Sequence, residues 1–169
     1  MTRPITDRVK QSLFDILSPY LEGARVCDLF AGTGSMGLEC LSRGASHVTF
    51  FEADRSAVQR LKKNIDAVGV ADRSRLVAGD LFKWFAAAGG EDQADIVFLD
   101  PPYRFLTEQP DALRRLGSQI AARHLVADGV VVFRHDARDR LELPLLSAAD
   151  QRTYGGMTLE FLRTRPEPS

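Results

Sequence analysis

The segment that most constrains the fold is Asp28-Leu-Phe-Ala-Gly-Thr-Gly-Ser-Met-Gly37, which joins a short apolar run at 25–30 to a helical pattern at 35–43. Glycines 32, 34 and 37 have the spacing of a tight turn that lets a helix N-terminus, a strand end and a ligand come close together. Further apolar, β-branched runs at 47–51, 74–77, 95–99 and 130–133 alternate with helical patterns at 54–68, 80–87 and 110–124. That alternation marks a parallel sheet covered on both faces. Ahead of it, Thr6-Asp7 caps a helix carrying Val9, Leu13, Phe14, Ile16 and Leu17 on one side and ending near Ser18-Pro19. Weaker strands at 143–153 and 157–163 close the chain. The expected architecture is α/β, a Rossmann-like doubly wound sheet, with ligands held at the carboxyl ends of its strands.

By spacing alone the glycine loop serves NAD or S-adenosylmethionine equally well. Glu52 ends the second strand about twenty residues on, where an acid can bind ribose hydroxyls. Asp28 and the small residues around Ala31 suit a ligand whose charged end is an ammonium rather than a pyrophosphate. No catalytic set for hydride transfer accompanies them. Asp54 reads as a helix cap. Asp80, in Ala78-Gly-Asp-Leu-Phe82, can cap a short helix, accept from an adenine amino group, or do both.

Behind the apolar run Ile96-Val-Phe-Leu99 stands Asp100-Pro-Pro-Tyr103. A buried strand thus delivers an acid, two rigid prolines and an aromatic ring to one point. The amino nitrogen of a nucleobase is a poor nucleophile, because its lone pair is delocalised into the ring. A carboxylate and a backbone carbonyl that accept its N–H protons draw it towards a tetrahedral shape and localise that pair. Prolines fix φ and bring no N–H to compete for the acceptors, and a tyrosine face can stack the base.

A chain of 169 residues can bury one substantial core, so 1–165 is expected as a single domain with 166–169 as a tail. No stretch approaches a membrane span, and Met1-Thr-Arg-Pro4 has no secretory character. Cys27 and Cys40 sit in apolar patterns as free thiols suited to a reducing cytoplasm, without the spacing of a metal site. The net charge of -1 argues against wholesale polyanion binding. It leaves room for local arginine faces at Arg114-Arg115, at Arg134, Arg138 and Arg140, and at Arg163 and Arg165.

Together these residues resemble the class I S-adenosylmethionine-dependent methyltransferases. More narrowly the chain resembles the bacterial RsmD-type family, which methylates a guanine N2 of 16S ribosomal RNA. The resemblance rests on Arg3-Pro-Ile-Thr-Asp-Arg-Val9, Asp28 to Gly34, Gly37-Leu-Glu39 through Ser42-Arg-Gly44, Phe51-Glu-Ala-Asp-Arg55 and Val97 to Tyr103. It implies a seven-stranded sheet with the last strand antiparallel. It places the methionine end of the cofactor near Thr6, Asp28, Phe30, Gly32 and Gly34, the ribose on Glu52, and the adenine near Asp80 and Leu81. The target base falls to Asp100, the Pro101 carbonyl, Pro102 and Tyr103. The implied partner is ribosomal RNA or an assembling small subunit, met by a monomer whose Arg3, Arg8 and Arg104 flank the site.

Two features depart from that family. Relatives commonly open with a short basic hairpin before the Arg-Pro segment. They also commonly carry an acid after the fifth strand, where this chain has Arg134. Both bear on the RNA target and leave the chemistry intact. Competing functions are an adenine-N6 methyltransferase, a protein glutamine methyltransferase, which usually has Asn at the place of Asp100, an NAD-dependent oxidoreductase, and a non-enzymatic binding module.

Overall fold

A computed structural model describes residues 5–90 and 93–165. Its seven strands are β1 (Arg25–Leu29), β2 (His47–Glu52), β3 (Ser74–Ala78), β4 (Ala94–Leu99), β5 (Leu125–Asp136), β6 (Leu146–Tyr154) and β7 (Met157–Thr164). They form one sheet in the order β3-β2-β1-β4-β5-β7-β6. The first five strands run parallel, while β7 is antiparallel to both β5 and β6. The expected seven-stranded sheet with its last strand antiparallel is therefore present.

Helices cover both faces, as apolar residues alternating to both sides of β1, β4 and β5 require. On one face α1 (Asp7–Leu21), α2 (Ser35–Ser42) and α3 (Arg55–Ala67) pack Leu13, Phe14, Cys40 and Leu61 against Phe50, Phe98 and Val132. On the other, α4 (Leu81–Ala87), the four-residue α5 (Phe105–Glu108) and α6 (Pro110–Gln119) set Phe85, Leu106, Leu113 and Leu116 against Leu29, Phe51, Leu99 and Phe133.

Strand register positions the site. Leu29 of β1 lies opposite Phe51 of β2 and Leu99 of β4, and Leu99 lies opposite Phe133 of β5. Glu52, Asp100 and Arg134, each one residue further on, therefore reach the same edge of the sheet side by side. The strand order reverses at β1, so the crevice between its two flanking crossovers opens at that edge.

Three boundaries differ from the sequence reading. Helix α1 continues through Pro19 to Leu21, because a proline in the last turn removes only one late hydrogen bond. Helix α6 stops at Gln119, and a π-helical turn (Ile120–His124) passes straight into β5. The strand expected from 130 thus begins at Leu125, and Asp128-Gly129 is part of β5. It occupies an irregularity where Leu125 pairs with Ala94 and Val130 with Ile96. The strand expected from 143 begins at Leu146, while Leu143 itself enters the core.

Gly37 shows how tightly the first crossover seats. A Cβ there would stand 2.4 Å from Phe50 Cε1 and 2.8 Å from Val48 Cγ1. Gly37→Ala should therefore lower stability by about 1–3 kcal/mol through overpacking, read from urea melts. An unchanged midpoint would show that α2 can lift off β2 without strain.

Candidate active site

The chain leaves β1 through a strained turn. Phe30 takes a left-handed φ of 62°, unusual for a bulky side chain, and Gly32 and Gly34 follow at 59° and 89°. The three glycines answer to different needs. Gly34 is set by its left-handed φ together with the Leu61 methyl above it, and Gly37 by the pressure of Phe50. A Cβ on Gly32 would meet nothing within 4 Å. That face is open, and Gly32 lines the cavity described below.

Two acids brace this loop. Glu52 accepts from the Gly32 N–H at 2.7 Å through Oε1 and from the Asp54 N–H at 2.9 Å through Oε2. It ties the glycine loop to the start of α3, and Glu52 is also among the residues that line the cavity. Asp28 lies beneath the loop, 2% exposed, accepting from the Gly37 N–H at 3.0 Å. Loss of water pushes its carboxyl up to about 8; the Gly37 bond opposes the rise, and the charges of Asp100 and Glu52 add to it.

Other expected cofactor residues are less direct. Thr6 caps α1, its hydroxyl accepting from Val9 N–H at 3.3 Å. Asp80 is exposed and caps α4 by accepting from Phe82 N–H at 2.9 Å. Asp54 likewise caps α3, as its sequence position implied. Leu81 is buried in the core beside Phe51. Phe30 meets Phe82 and Phe105 edge to face, with centroids 6.0 and 5.8 Å apart, forming an aromatic wall at the mouth.

Asp100 emerges from β4 as expected, but its partner was missed. Arg134, at the same level of β5, donates from Nε to Oδ1 and from Nη2 to Oδ2, both at 2.8 Å. Arg134 is only 7% exposed, and its Nη1 also donates to Met157 Sδ at 3.5 Å. Burial raises the Asp100 carboxyl above the usual carboxylate range, and the hydrogen bond and charge of Arg134 hold that rise back. An arginine directly after the apolar run 130–133 was the available signal, since a charge at a buried strand end requires a partner.

Pro101 is buried, and no hydrogen bond among the described residues takes up its carbonyl. The Pro102 carbonyl accepts from Phe105 N–H at 2.9 Å. Tyr103 is half-buried with its hydroxyl oxygen enclosed, so the ring lies partly within the protein. The arginine faces are also revised. Arg134 is internal, Arg138 pairs with Asp136, Arg114 with Asp111, and Arg104 with Glu108 at 3.4 Å. Arg8 is exposed, and Arg3 lies outside the described residues.

A cavity of about 510 Å³ brings some of these groups together, while Thr6, Asp28, Asp80, Leu81, Pro101 and Tyr103 lie outside its lining. Phe30, Gly32, Glu52, Asp100, Pro102 and Arg134 contribute to its lining. The volume suits a nucleoside-sized ligand. The open face of Gly32 and the acids beside it fit a cationic amino-acid nucleoside such as S-adenosyl-L-methionine.

Sheet order, strand-end acids and glycine loop define a class I methyltransferase, whose methyl donor is S-adenosyl-L-methionine. Within that class the chain belongs to the family described as "Conserved hypothetical protein 95", whose family model matches residues 1–163. A Bacillus subtilis relative named "Putative rRNA methyltransferase YlbH" is 38% identical over 159 residues, covering 91% of this chain and 83% of that protein. "Ribosomal RNA small subunit methyltransferase D" of Haemophilus influenzae is 39% identical over 113 residues, 66% of this chain and 58% of its own length. Among solved structures, "Putative methyltransferase yhhF from Escherichia coli" superposes with a TM-score of 0.83 at 28% identity, covering 96% of this chain and 88% of that one.

Asp28 makes stability depend on pH. Its folded value of about 8 stands above the unfolded 3.8, so between those values the folded state keeps a proton that the unfolded chain has released. The stabilisation is complete in acid and is lost as pH climbs through about 8. Asp28→Asn, which can keep the Gly37 bond, should flatten this decline by up to about 1.4 kcal/mol per pH unit. Thermal melts of the ligand-free protein at a series of pH values check it, and parallel curves for the two proteins would refute it.

Proposed function

We propose that this chain transfers the methyl group of S-adenosyl-L-methionine to the exocyclic N2 amine of a guanine in 16S ribosomal RNA. The observation that carries the reading is Asp100, an acid delivered by a buried strand to the cavity beside the glycine loop. Methylation of ribosomal RNA is supported by the names of the relatives. The guanine amine is supported by the resemblance carried by Asp100-Pro-Pro-Tyr103 and Thr6-Asp-Arg8.

Bound in the cavity, the cofactor supplies an electrophilic methyl group on a positively charged sulfur. Glu52, which lines the cavity, holds the ribose hydroxyls with the lone pairs that the Gly32 and Asp54 N–H groups leave free. Asp28 braces the loop from beneath through the Gly37 N–H, next to where the methionine end lies, and Asp80 at the head of α4 receives the adenine amine. Asp100 and the Pro101 carbonyl accept the N–H protons of the guanine amine, which localises its lone pair towards the methyl group. As the new N–C bond forms the S–CH3 bond breaks, its electron pair returning to sulfur to leave neutral S-adenosylhomocysteine. The amine becomes cationic, and Asp100 lies ready to stabilise and take the departing proton. Tyr103 stacks on the base after its ring turns out from the protein. Positioning and electrostatics do most of the catalysis.

The RNA is presented as a pre-folded ribonucleoprotein. With a net charge of -1, the chain relies on few phosphate contacts, from Arg8 and from Arg104 at the mouth.

Small subunits incubated with methyl-tritiated cofactor, then digested to nucleosides, should yield labelled N2-methylguanosine. Label in another nucleoside would replace the guanine assignment. Asp100→Ala should reduce turnover by about 10²–10³-fold, the scale for one preorganised transition-state hydrogen bond, with near-normal binding of S-adenosylhomocysteine. A wild-type rate would remove Asp100 from the chemistry. Glu52→Ala should weaken S-adenosylhomocysteine binding by about 1.5–3 kcal/mol in calorimetry, and an unchanged affinity would remove the ribose role.

A further inference from the structure

We infer that Arg134 is a positioning residue that keeps Asp100 ionised and oriented as a pure hydrogen-bond acceptor for the target amine. The inference rests on the proposed role of Asp100. It begins from the fork of two 2.8 Å bonds between strand ends that lie side by side in register.

A carboxylate offers two lone pairs on each oxygen, and a bidentate guanidinium takes one from each. One acceptor site on each oxygen remains for substrate N–H groups. The fork also fixes the plane of the carboxylate, which a single hydrogen bond leaves free to rotate. Arg134 is itself held, being 7% exposed and bonded at Nη1 to Met157 Sδ.

The burial of Asp100 makes this cation necessary. Asp28 at the end of β1 and Glu52 at the end of β2 are acids, and the Asp28 carboxyl feels both of the others. On α1, Lys10 is directed to the Ser35 hydroxyl at 2.9 Å rather than to Asp100. Without Arg134, burial alone would carry the Asp100 carboxyl further up and favour its protonated form. A protonated acid donates a hydrogen bond, and a donor aimed at the amine engages the lone pair that must attack. Arg134 therefore separates an acceptor that activates the nucleophile from a donor that quenches it.

The test is the pH profile of single-turnover methylation at saturating cofactor, for the wild type, Arg134→Met, Arg134→Lys and the same changes in Asp100→Asn. In Arg134→Met the ascending limb should move up by about one to three pH units, the usual effect of an adjacent arginine on a carboxyl. Its rate should fall at least about tenfold near pH 6 and recover in part towards pH 9. Arg134→Lys keeps the charge without the fork, so the limb should stay near its wild-type position while the plateau rate falls. In the Asp100→Asn background neither change should move a limb, which separates Asp100 from the titration of Asp28.

A lower rate with an unmoved limb in Arg134→Met would reduce Arg134 to a structural role and overturn the inference. Wild-type behaviour in Arg134→Lys would overturn the orienting part, and that variant suffices if the Met protein does not fold. Full activity in Asp100→Asn alone would instead defeat the acceptor role of Asp100. Calorimetry with S-adenosylhomocysteine confirms that each variant retains its folded cofactor site.

Discussion

The pairing of β1 with β2 on one side and β4 on the other is the contact on which the site depends. Each pairing is parallel, so both crossovers return over the sheet and the strands end together at one edge. Their crossovers depart in opposite directions, which leaves a crevice no helix covers. Register then turns sequence positions far apart into neighbours: Glu52, Asp100 and Arg134 share one level because Leu29, Phe51, Leu99 and Phe133 do. A slip of one residue in any of these ladders would point its acid or its arginine into the core.

The order of elements and the parallel sheet were legible because each strand is a short apolar run bounded by turn residues. Their limits were less so. Pro19 looked like a stop, but a proline in a final turn is tolerated. The apolar run at 130–133 marked the fifth strand, whereas Leu125 had already found Ala94 as a partner. Local signals cannot report such a pairing, because it is decided by a strand thirty residues away.

Within the site, Asp28, Gly32, Glu52 and Asp100 were placed by motif; the last three line one crevice, while Asp28 lies buried beneath the loop. The roles of the glycines were not separable in the sequence. Spacing gives Gly34 and Gly37 the same standing as Gly32, yet Leu61 and Phe50 crowd the first two and only Gly32 lines the cavity. Arg134 was noticed as a departure and not as a partner. A pair formed between strands exists only once register is known, and β5 begins further upstream than its apolar run suggests.

The carboxylates of Glu52 and Asp100 line the crevice, and the guanidinium of Arg134 beside them is engaged by Asp100. Such a floor welcomes a small cation and offers nothing to a phosphodiester backbone. The two substrates are therefore sorted by depth. The nucleoside cofactor belongs to the acidic interior, and only one uncharged, unstacked base can follow it there. The grip on the polyanion has to come from the outer surface, at a distance from the reacting atoms. Target choice can then change by remodelling the rim alone, with the chemistry beneath it untouched.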